Sequence, residues 1–357
     1  MQWHVLRRVS EEDLAIRQQK TAVRMVDVAE LAGVSQTTAS RALSGFRSVS
    51  PATRAAVESA AQSLGYEINL AARSLASRSS QLIGFVVAEP SAHLWGGTYF
   101  PRLLRGITEA AEEQNQQLAV FMPQPDNSNQ RLRRYLAQGH IDGLLLITST
   151  RSDPLLIDLM KRGMPIVLGG RPIGVDGSSF VDVDNTHGAL IATSHLFERG
   201  YRHPAHIAGP SDTAAGEDRL AGYASAMGAH GLMPVAHLAK DFSFQAGADG
   251  VLALLRDHPE TDAIFAAGDS LALGALTALR ASGRSVPDDI GLVGFDDSEP
   301  AALASPPLSS VHQPVELLGR EMVRLLMAKI SDPAQPALQS ILGTTLVARE
   351  SSAGPLR

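Results

Sequence analysis

The sequence predicts an α/β protein with a small all-α domain at its amino terminus. Residues 25–64 have the period of short helices, interrupted by a glycine turn and by a Ser-Pro pair. The chain from Leu82 onward instead alternates short apolar runs with segments of helical period, which is typical of doubly wound parallel sheets. The length of 357 residues also exceeds one ordinary domain and fits about two or three.

The composition excludes several classes of protein. Hydrophobic residues make up 44% of the chain, which is enough for large cores, and there is no cysteine. Disulfides, thiol nucleophiles and cysteine zinc sites are therefore excluded. The sequence has no secretory signal and no apolar run of about 18 residues that could span a membrane. We therefore expect a cytoplasmic protein with no membrane partner.

The first two predicted helices, within residues 25–43, have the pattern of a helix-turn-helix. Gly33 permits the turn, and Ser35 caps the second helix through its side-chain oxygen. The apolar face of the first helix is predicted to consist of Val28, Ala29, Leu31 and Ala32. The outward residues at the start of the second helix can bind base edges or phosphates: Gln36, Thr37, Ser40 and Arg41. A simple helical hairpin with a solvated polar face is the alternative.

A third helix and a short segment complete the amino-terminal region. Ser50 and Pro51 are a cap and a first helical residue, and Gly65 ends the helix. Residues 69–76 are too few for a helix that is stable alone. Residues 20–80 hold seven lysines and arginines against four acidic residues, whereas the whole chain has a net charge of -6. A basic head on an acidic body can orient on a polyanion by its head.

The body of the chain alternates predicted strands and helices. A first block has strands at 82–87, 118–122, 142–147, 165–169 and 179–183, and a second at 205–209, 263–267 and 290–295. Helices are predicted at 102–117, 186–199, 215–230, 245–257 and 270–282, with a final helix after Val311 and a last strand near 341–347. Two blocks predict two lobes, and small ligands of open α/β sheets bind at the carboxyl ends of strands.

Three residues lie where such a ligand cleft would form. Arg219 comes early in a helix that follows a strand, and a guanidinium can bind hydroxyls or a carboxylate with two N–H groups. Asp296 ends an apolar strand, where its carboxylate can accept hydrogen bonds from two neighbouring hydroxyls. Phe242 offers an aromatic face to the apolar side of a ring. Taken singly, each also fits a structural role, as an ion pair, a helix cap or part of the core.

Three common catalytic motifs are absent from the sequence. It has no G-x-S-x-G, no Walker A loop and no H-E-x-x-H. His203 and His206 stand at the start of a strand rather than on one helix face, which does not favour a metal site. We therefore predict no enzyme, no cofactor and no metal. A secreted sugar-binding protein would have the same body, but with a signal peptide in place of the helical domain.

Residues 24–78 resemble the DNA-binding headpiece and hinge of the LacI/GalR family of bacterial transcription repressors. The resemblance implies that Gln36, Thr37 and Arg41 read bases. It also implies that Asn69 is the hinge asparagine and that Leu75 is the hinge leucine, which enters the minor groove. One residue departs from the pattern, since Ile68 stands where the family usually has proline.

The body resembles the effector-binding core of the same family, which is similar in fold to periplasmic sugar-binding proteins. The matching segments are 268–276, 287–297 and 308–314. The resemblance implies that Arg219, Phe242 and Asp296 contact the effector, and that the facing lobe contributes Tyr99, Phe100 and Thr148. Gly268 stands where the family often has asparagine, which removes a hydrogen-bonding group from the predicted pocket.

The resemblance implies a sequence-specific transcriptional regulator, most simply a repressor, that binds double-stranded operator DNA as a homodimer. A small-molecule effector between the lobes would control operator affinity by linkage. A sugar or sugar derivative is expected, with a nucleobase as the alternative. The predicted domains are an extension of unknown role (1–23), the headpiece (24–68), the hinge (69–80) and the two-lobed core (81–357). The tail has no leucine heptad, which argues against a coiled-coil tetramer.

Overall fold

The structure, a computed structural model, describes residues 23–43, 48–66, 79–87, 98–122, 132, 134–136, 139–147 and 154–354. The chain divides into two compact units between Ser80 and Gln81. Several features of the sequence prediction lie outside the described residues: residues 1–22 of the extension, Ile68, hinge residues 69–78 with Asn69 and Leu75, and Thr148.

The first unit contains three helices, α1 (Met25–Leu31), α2 (Gln36–Leu43) and α3 (Pro51–Leu64). Gly33 makes the turn after α1 with φ +65°, a value that favours glycine. Ser35 caps α2, because its Oγ accepts a hydrogen bond from the Thr38 N–H at 3.1 Å. Ser50 caps α3 in the same way through the Thr53 N–H at 3.2 Å. Both predicted caps are therefore present.

Small residues form the core of this headpiece: Val28, Ala29, Ala39, Ala42, Val57, Ala60 and Ala61. Leu31 was expected to share the apolar face of α1, but its side chain is 57% exposed. The reason is helical period. Positions 28, 29 and 32 lie on one side of the helix, while position 31 lies at the edge of that face. Leu31 therefore lies outside the core that the headpiece builds from small residues.

The second unit contains two six-stranded sheets. The strands of the first lobe are β1 (Leu82–Val87), β2 (Gln117–Phe121), β3 (Gly143–Ile147), β4 (Ile166–Gly169), β5 (Ser179–Val183) and β11 (Gln339–Leu342). Those of the second are β6 (Pro204–Ala208), β7 (Ala236–Leu238), β8 (Ala263–Ala266), β9 (Gly291–Asp296), β10 (Ser309–His312) and β12 (Thr345–Val347). The strand orders are β11-β5-β4-β3-β1-β2 and β12-β10-β9-β8-β6-β7. Pairing is parallel throughout, apart from β12 against β10.

The described helices of this unit are α4 (Tyr99–Glu113), α5 (Pro154–Lys161), α6 (Asn185–Glu198), α7 (Ala214–Ala229), α8 (Phe244–Asp257), α9 (Asp269–Ala281), α10 (Glu299–Ala302) and α11 (Val315–Ser331). Helix α11 comes late in the sequence, but it packs on α4 and on the sheet of the first lobe. Among the residues that the structure describes, no helix has the length and apolar character to cross a membrane.

The chain passes between the lobes at three crossovers, at Asp184–Asn185, Gln313–Pro314 and Gly343–Thr344. The third one corrects the sequence prediction. The single last strand expected near 341–347 is two short strands, and they belong to different sheets. Gly343 has open space around its Cα, and it lies at the point where the chain changes lobe. The carboxyl ends of the parallel strands of both lobes face these crossovers.

Candidate functional site

The outward face of α2 carries the predicted DNA-binding residues that the structure describes. Gln36, Thr37 and Arg41 are exposed, and Ser40 is half-buried. Ser35 is exposed but has a structural role as the cap, because its Oγ also lies 2.9 Å from the Thr38 hydroxyl. The opposite face of α2 is fixed to α3 by the hydrogen bond from Arg54 to the Ala42 carbonyl, at 3.0 Å. A rigid helix therefore presents an amide, hydroxyls and a guanidinium together.

Arg219 is the charged centre of the second unit. Its side chain on α7 is only 5% exposed, and its guanidinium lies 3.6 Å from the centroid of the Phe295 ring. Its Nε donates to Asn185 Oδ1 at 2.9 Å, and Nη1 donates to the Ala267 carbonyl. Burial lowers the pKa of Arg219, and the charge of Asp296 is the largest influence that opposes this shift. A buried guanidinium held by fixed acceptors is a pre-oriented donor for a polar ligand.

Phe242 and Asp296 lie beside this guanidinium, with Gly268 between them. The Phe242 ring centroid is 6.0 Å from Arg219 Cζ. A Cβ atom placed on Gly268 would lie 3.5 Å from Phe242 Cδ1 and 3.7 Å from Asp296 Oδ2. The three residues predicted from strand and helix ends therefore converge in one place. A cation, an aromatic face and a carboxylate suit a ring that bears hydroxyl groups.

Asp296 is held in an uncommon backbone conformation, with φ +113° at the end of β9. Gln313 donates from Nε2 to its Oδ1 at 2.5 Å, and Arg102 donates to its carbonyl oxygen at 3.2 Å. Arg102 in turn forms a two-point ion pair with Glu316, at 2.8 and 2.9 Å. Burial raises the pKa of Asp296, and the charge of Arg219 opposes that shift. Gln313 therefore holds the carboxylate, while Arg102 of the first lobe holds the main-chain carbonyl of the same residue.

A second carboxyl group, Asp269, lies directly behind the cleft. It accepts hydrogen bonds from the Ser298 N–H at 2.7 Å and from the Ser310 hydroxyl at 2.6 Å. Burial, followed by the charge of Asp296, raises the pKa of Asp269 to about 7. Through these two hydrogen bonds, Asp269 supports the loop after β9.

The facing lobe matches its predicted residues less fully. Tyr99 is half-buried at the start of α4 and lies within electrostatic range of Arg219. Phe100 is only 3% exposed and stacks on Phe85, with ring centroids 5.8 Å apart, so its ring is part of the first-lobe core. The helical period explains this difference, because adjacent residues of α4 point in directions about 100° apart. Tyr99 therefore faces the cleft and Phe100 faces the sheet.

An ion pair joins the two lobes near the cleft. Arg171, just after β4, donates from Nη2 and Nε to the Asp218 carboxylate on α7, at 2.7 and 3.2 Å. The two side chains are 38% and 27% exposed, so solvent screens the pair. The Arg171 N–H also donates to Asp182 Oδ2 at 2.7 Å. Asp218 directly precedes Arg219, so this pair lies next to the predicted effector residue.

Sequence reasoning missed the buried amide Asn185 and the carboxylate Asp182. Asn185 is 2% exposed, and its Nδ2 donates to Asp182 Oδ1 at 3.1 Å. Burial raises the pKa of Asp182, although the N–H groups of Arg171 and Val183 oppose the shift. One signal was available, since Asp184-Asn185 follow the apolar run of β5 and polar residues after a buried strand often lie in a cleft. The partners themselves depend on tertiary proximity.

Comparison with known proteins identifies two family matches. Residues 24–69 match the bacterial regulatory proteins of the lacI family, and residues 193–352 match a periplasmic binding protein-like domain. The HTH-type transcriptional regulator CelR of Thermobifida fusca is 43% identical over 328 residues, which is 91% of this chain and 96% of CelR. The ribose operon repressor of Escherichia coli K12 is 33% identical, over 92% of this chain and 99% of that repressor.

Solved structures agree with both matches. A CelR–cellobiose complex has a TM-score of 0.73 and 40% identity, covering 92% of this chain and 99% of that one. A lac repressor dimer bound to operator and the anti-inducer ONPF has a TM-score of 0.79 and 27% identity, covering 93% of this chain and 99% of that one. These similarities confirm the predicted fold class, with a helix-turn-helix headpiece and a two-lobed core of mainly parallel sheets.

Proposed function

Because the chain belongs to the LacI family of bacterial regulatory proteins, we propose that it is a transcriptional repressor controlled by a disaccharide of the cellobiose type. It binds operator DNA as a homodimer, and the effector binds between the lobes of the core. The observation that carries this proposal is the convergence of Arg219, Phe242 and Asp296 around the bare backbone of Gly268. The same family membership supports a cytoplasmic protein that is not an enzyme and that needs no cofactor.

We assign the domains as predicted: the extension 1–23, the headpiece 24–68, the hinge 69–80 and the core 81–357. Within the headpiece, Gln36, Thr37, Ser40 and Arg41 face the major groove, and Ser35 caps their helix. Asn69 and Leu75 are assigned to the hinge by family position alone. Phosphate contacts set the orientation of such a domain, whereas contacts to base edges give sequence specificity.

The effector residues are proposed to be Tyr99, Arg219, Phe242 and Asp296, with Thr148 assigned by family position. Phe100 supports them from the core. The aromatic face and the two charged groups favour a neutral ring with several hydroxyls. Gly268 leaves the space between Phe242 and Asp296 free of a side chain, which favours a ligand of more than one ring. The similarity to CelR, whose complex contains cellobiose, points in the same direction.

Control of DNA binding follows from linkage between the two sites. If the effector binds one arrangement of the lobes more tightly, operator affinity changes by the same coupling factor. A coupling free energy of about 1 to 3 kcal/mol corresponds to a change of about 5- to 150-fold. We propose that the effector lowers operator affinity.

The experiment starts with selection of an operator from a library of palindromic DNA sites, using the full-length protein. Operator affinity is then measured by fluorescence anisotropy with cellobiose, glucose, ribose or guanine. We expect cellobiose to weaken binding and the other three compounds to have less effect. A response to guanine alone would mean that the effector is a nucleobase and not a sugar.

The DNA-binding assignment is tested by Arg41→Ala. Loss of a two-point contact to a base should weaken operator binding by about 1 to 3 kcal/mol and relax sequence preference at one position. Non-specific binding should change much less. Arg280→Ala, which removes an exposed arginine from α9, is the matched control. Equal losses on operator and random DNA would show that Arg41 contacts only phosphate.

A further inference from the structure

Both charged residues of the effector cleft are hydrogen-bonded to a buried amide at a crossover between the lobes. Arg219 is bonded to Asn185, at the first crossover, and Asp296 is bonded to Gln313, at the second. We propose that Asn185 and Gln313 are positioning residues that transmit effector binding to the crossovers and so to the operator-binding state. This inference rests on the proposed function, and it names residues that regulate the site rather than its ligand.

The orientation of Asn185 is fixed by groups of opposite hydrogen-bonding character. Its Oδ1 accepts from Arg219 Nε at 2.9 Å, on the second lobe. Its Nδ2 donates to Asp182 Oδ1 at 3.1 Å and to the Val183 carbonyl at 3.2 Å, and both of these acceptors belong to β5 of the first lobe. Because a guanidinium can only donate, the amide cannot turn around without losing the bond to Arg219. A single buried side chain therefore links the cation of one lobe to a strand of the other.

Gln313 has the corresponding place at the second crossover. Its side chain is 2% exposed, and Nε2 donates to Asp296 Oδ1 at 2.5 Å. The next residue, Pro314, precedes α11, which packs on the first lobe. Arg102 of the first lobe reaches the Asp296 carbonyl at 3.2 Å, so the backbone next to this carboxylate is also tied to that lobe. Movement of Asp296 toward a ligand therefore changes contacts on both sides of the crossover.

This arrangement couples the ligand site to the crossovers, because the two amides are hydrogen-bonded to the same charged groups that would bind the ligand, Arg219 and Asp296. A ligand that bonds to Arg219 and Asp296 changes the position and charge balance of these groups, and the amides must follow or lose their bonds. A lost bond leaves a buried polar atom without a partner, which is unfavourable in a low-dielectric interior. The lobe arrangement that keeps both amides satisfied is therefore selected by the effector.

The test separates effector affinity from coupling. Cellobiose affinity is measured by calorimetry, and operator affinity is measured by anisotropy without cellobiose and at saturating cellobiose. For the wild type we expect a coupling factor within the range of about 5 to 150. For Asn185→Ala and for Gln313→Leu we expect a factor below about 2 at saturation, with operator affinity in the absence of cellobiose unchanged within about threefold. A wild-type coupling factor in either variant at saturation would overturn the inference for that residue.

Thr193→Val is the matched control. Thr193 is fully buried on α6, the helix that Asn185 begins, and its hydroxyl donates to the Ala189 carbonyl at 2.9 Å. Its loss should lower the melting temperature without changing the coupling factor. If Asn185→Ala does not fold, Asn185→Asp keeps the acceptor for Arg219 and removes the amide donor for Asp182, and it too should lose coupling. If Thr193→Val reduced coupling as much, the effect would be general destabilisation and the inference would fail.

A further readout distinguishes failure of this inference from failure of the proposed effector. Hydrogen exchange of the first crossover, residues 183–188, is compared without ligand in the wild type, Asn185→Ala and Thr193→Val. We expect faster exchange in Asn185→Ala only. If cellobiose does not move the operator affinity of the wild type, the proposed effector is wrong, and the exchange result still decides the role of Asn185. Unchanged exchange in that case overturns the inference.

Discussion

The two lobes of the core have the same strand order but contribute differently to the cleft. The second lobe supplies Arg219, Phe242 and Asp296, and Asp269 supports them from behind. The first lobe reaches the same place through long side chains at its edge, Arg102 and Arg171, and through Tyr99. On the proposed assignment, the second lobe is a preformed binding surface. The first lobe is then a partner whose position can respond to the bound effector.

Charge burial makes the same distinction. Arg219 and Asp269 are 5% and 2% exposed, whereas the Arg171 and Asp218 side chains are 38% and 27% exposed. Buried charges require their partners at all times, because an unpaired charge in a low-dielectric interior is strongly unfavourable. Exposed ion pairs can separate at little cost, because water replaces the lost contact. Contacts within the second lobe are thus expected to persist, and the exposed Arg171–Asp218 pair between the lobes to exchange.

The largest expected effect comes from breaking the second-lobe surface with Arg219→Met. The substitution keeps an unbranched side chain but removes the donors to Asn185 and Ala267 and the charge facing Asp296. Truncating one member of a buried charged pair costs about 2 to 5 kcal/mol in binding, so calorimetry should show cellobiose binding lost. Operator binding should remain. Arg280→Met controls for loss of an exposed arginine, and a variant with normal effector affinity would remove Arg219 from the pocket.

The next effect concerns Asp269 and the pH dependence of stability. Its pKa is about 7 in the folded chain, against an ordinary value of 3.8, so the folded state holds this proton where the unfolded state has lost it. The free energy of unfolding should therefore fall as pH rises from about 4 to 7, and the contribution of this group should level off above that range. Urea unfolding of Asp269→Asn should lack this part of the fall, which amounts to about 4 kcal/mol at about 1.4 kcal/mol per pKa unit. Parallel pH profiles for both proteins would contradict the assignment.

Gly268→Asn tests the role of the second lobe by filling the space between Phe242 and Asp296. The new Cβ fits in ordinary contact, 3.5 Å from Phe242 Cδ1, but the amide beyond it would occupy the space next to Asp296. We expect cellobiose affinity to fall by about 1 to 3 kcal/mol, as for an unfavourable change of a few atoms in a pocket. Glucose affinity should fall less. Gly268→Ala, which adds only the Cβ, is the control, and equal losses for both sugars would argue against a two-ring ligand.

The sequence predicted the second-lobe surface better than the contacts of the first lobe. Arg219, Phe242 and Asp296 each stand near a strand or helix end, and parallel strands bring such ends to one edge. Asn185 and Gln313 were missed because their function depends on which partner tertiary packing places within about 3 Å. The strands β7 and β10 were missed for another reason. They are three and four residues long, and their sequences AHL and SSVH lack an apolar period.

The smallest expected effect comes from separating the lobes at the exposed ion pair. Arg171→Gln and Asp218→Asn each remove one charge, and the double variant closes a double-mutant cycle for effector affinity. Exposed pairs contribute about 0.2 to 1 kcal/mol, so the coupling energy between these two positions should fall in that range and shrink in high salt. A value near that of the buried Arg219 site would mean that the first lobe is as fixed as the second. The proposed division between a preformed surface and a movable partner would then be wrong.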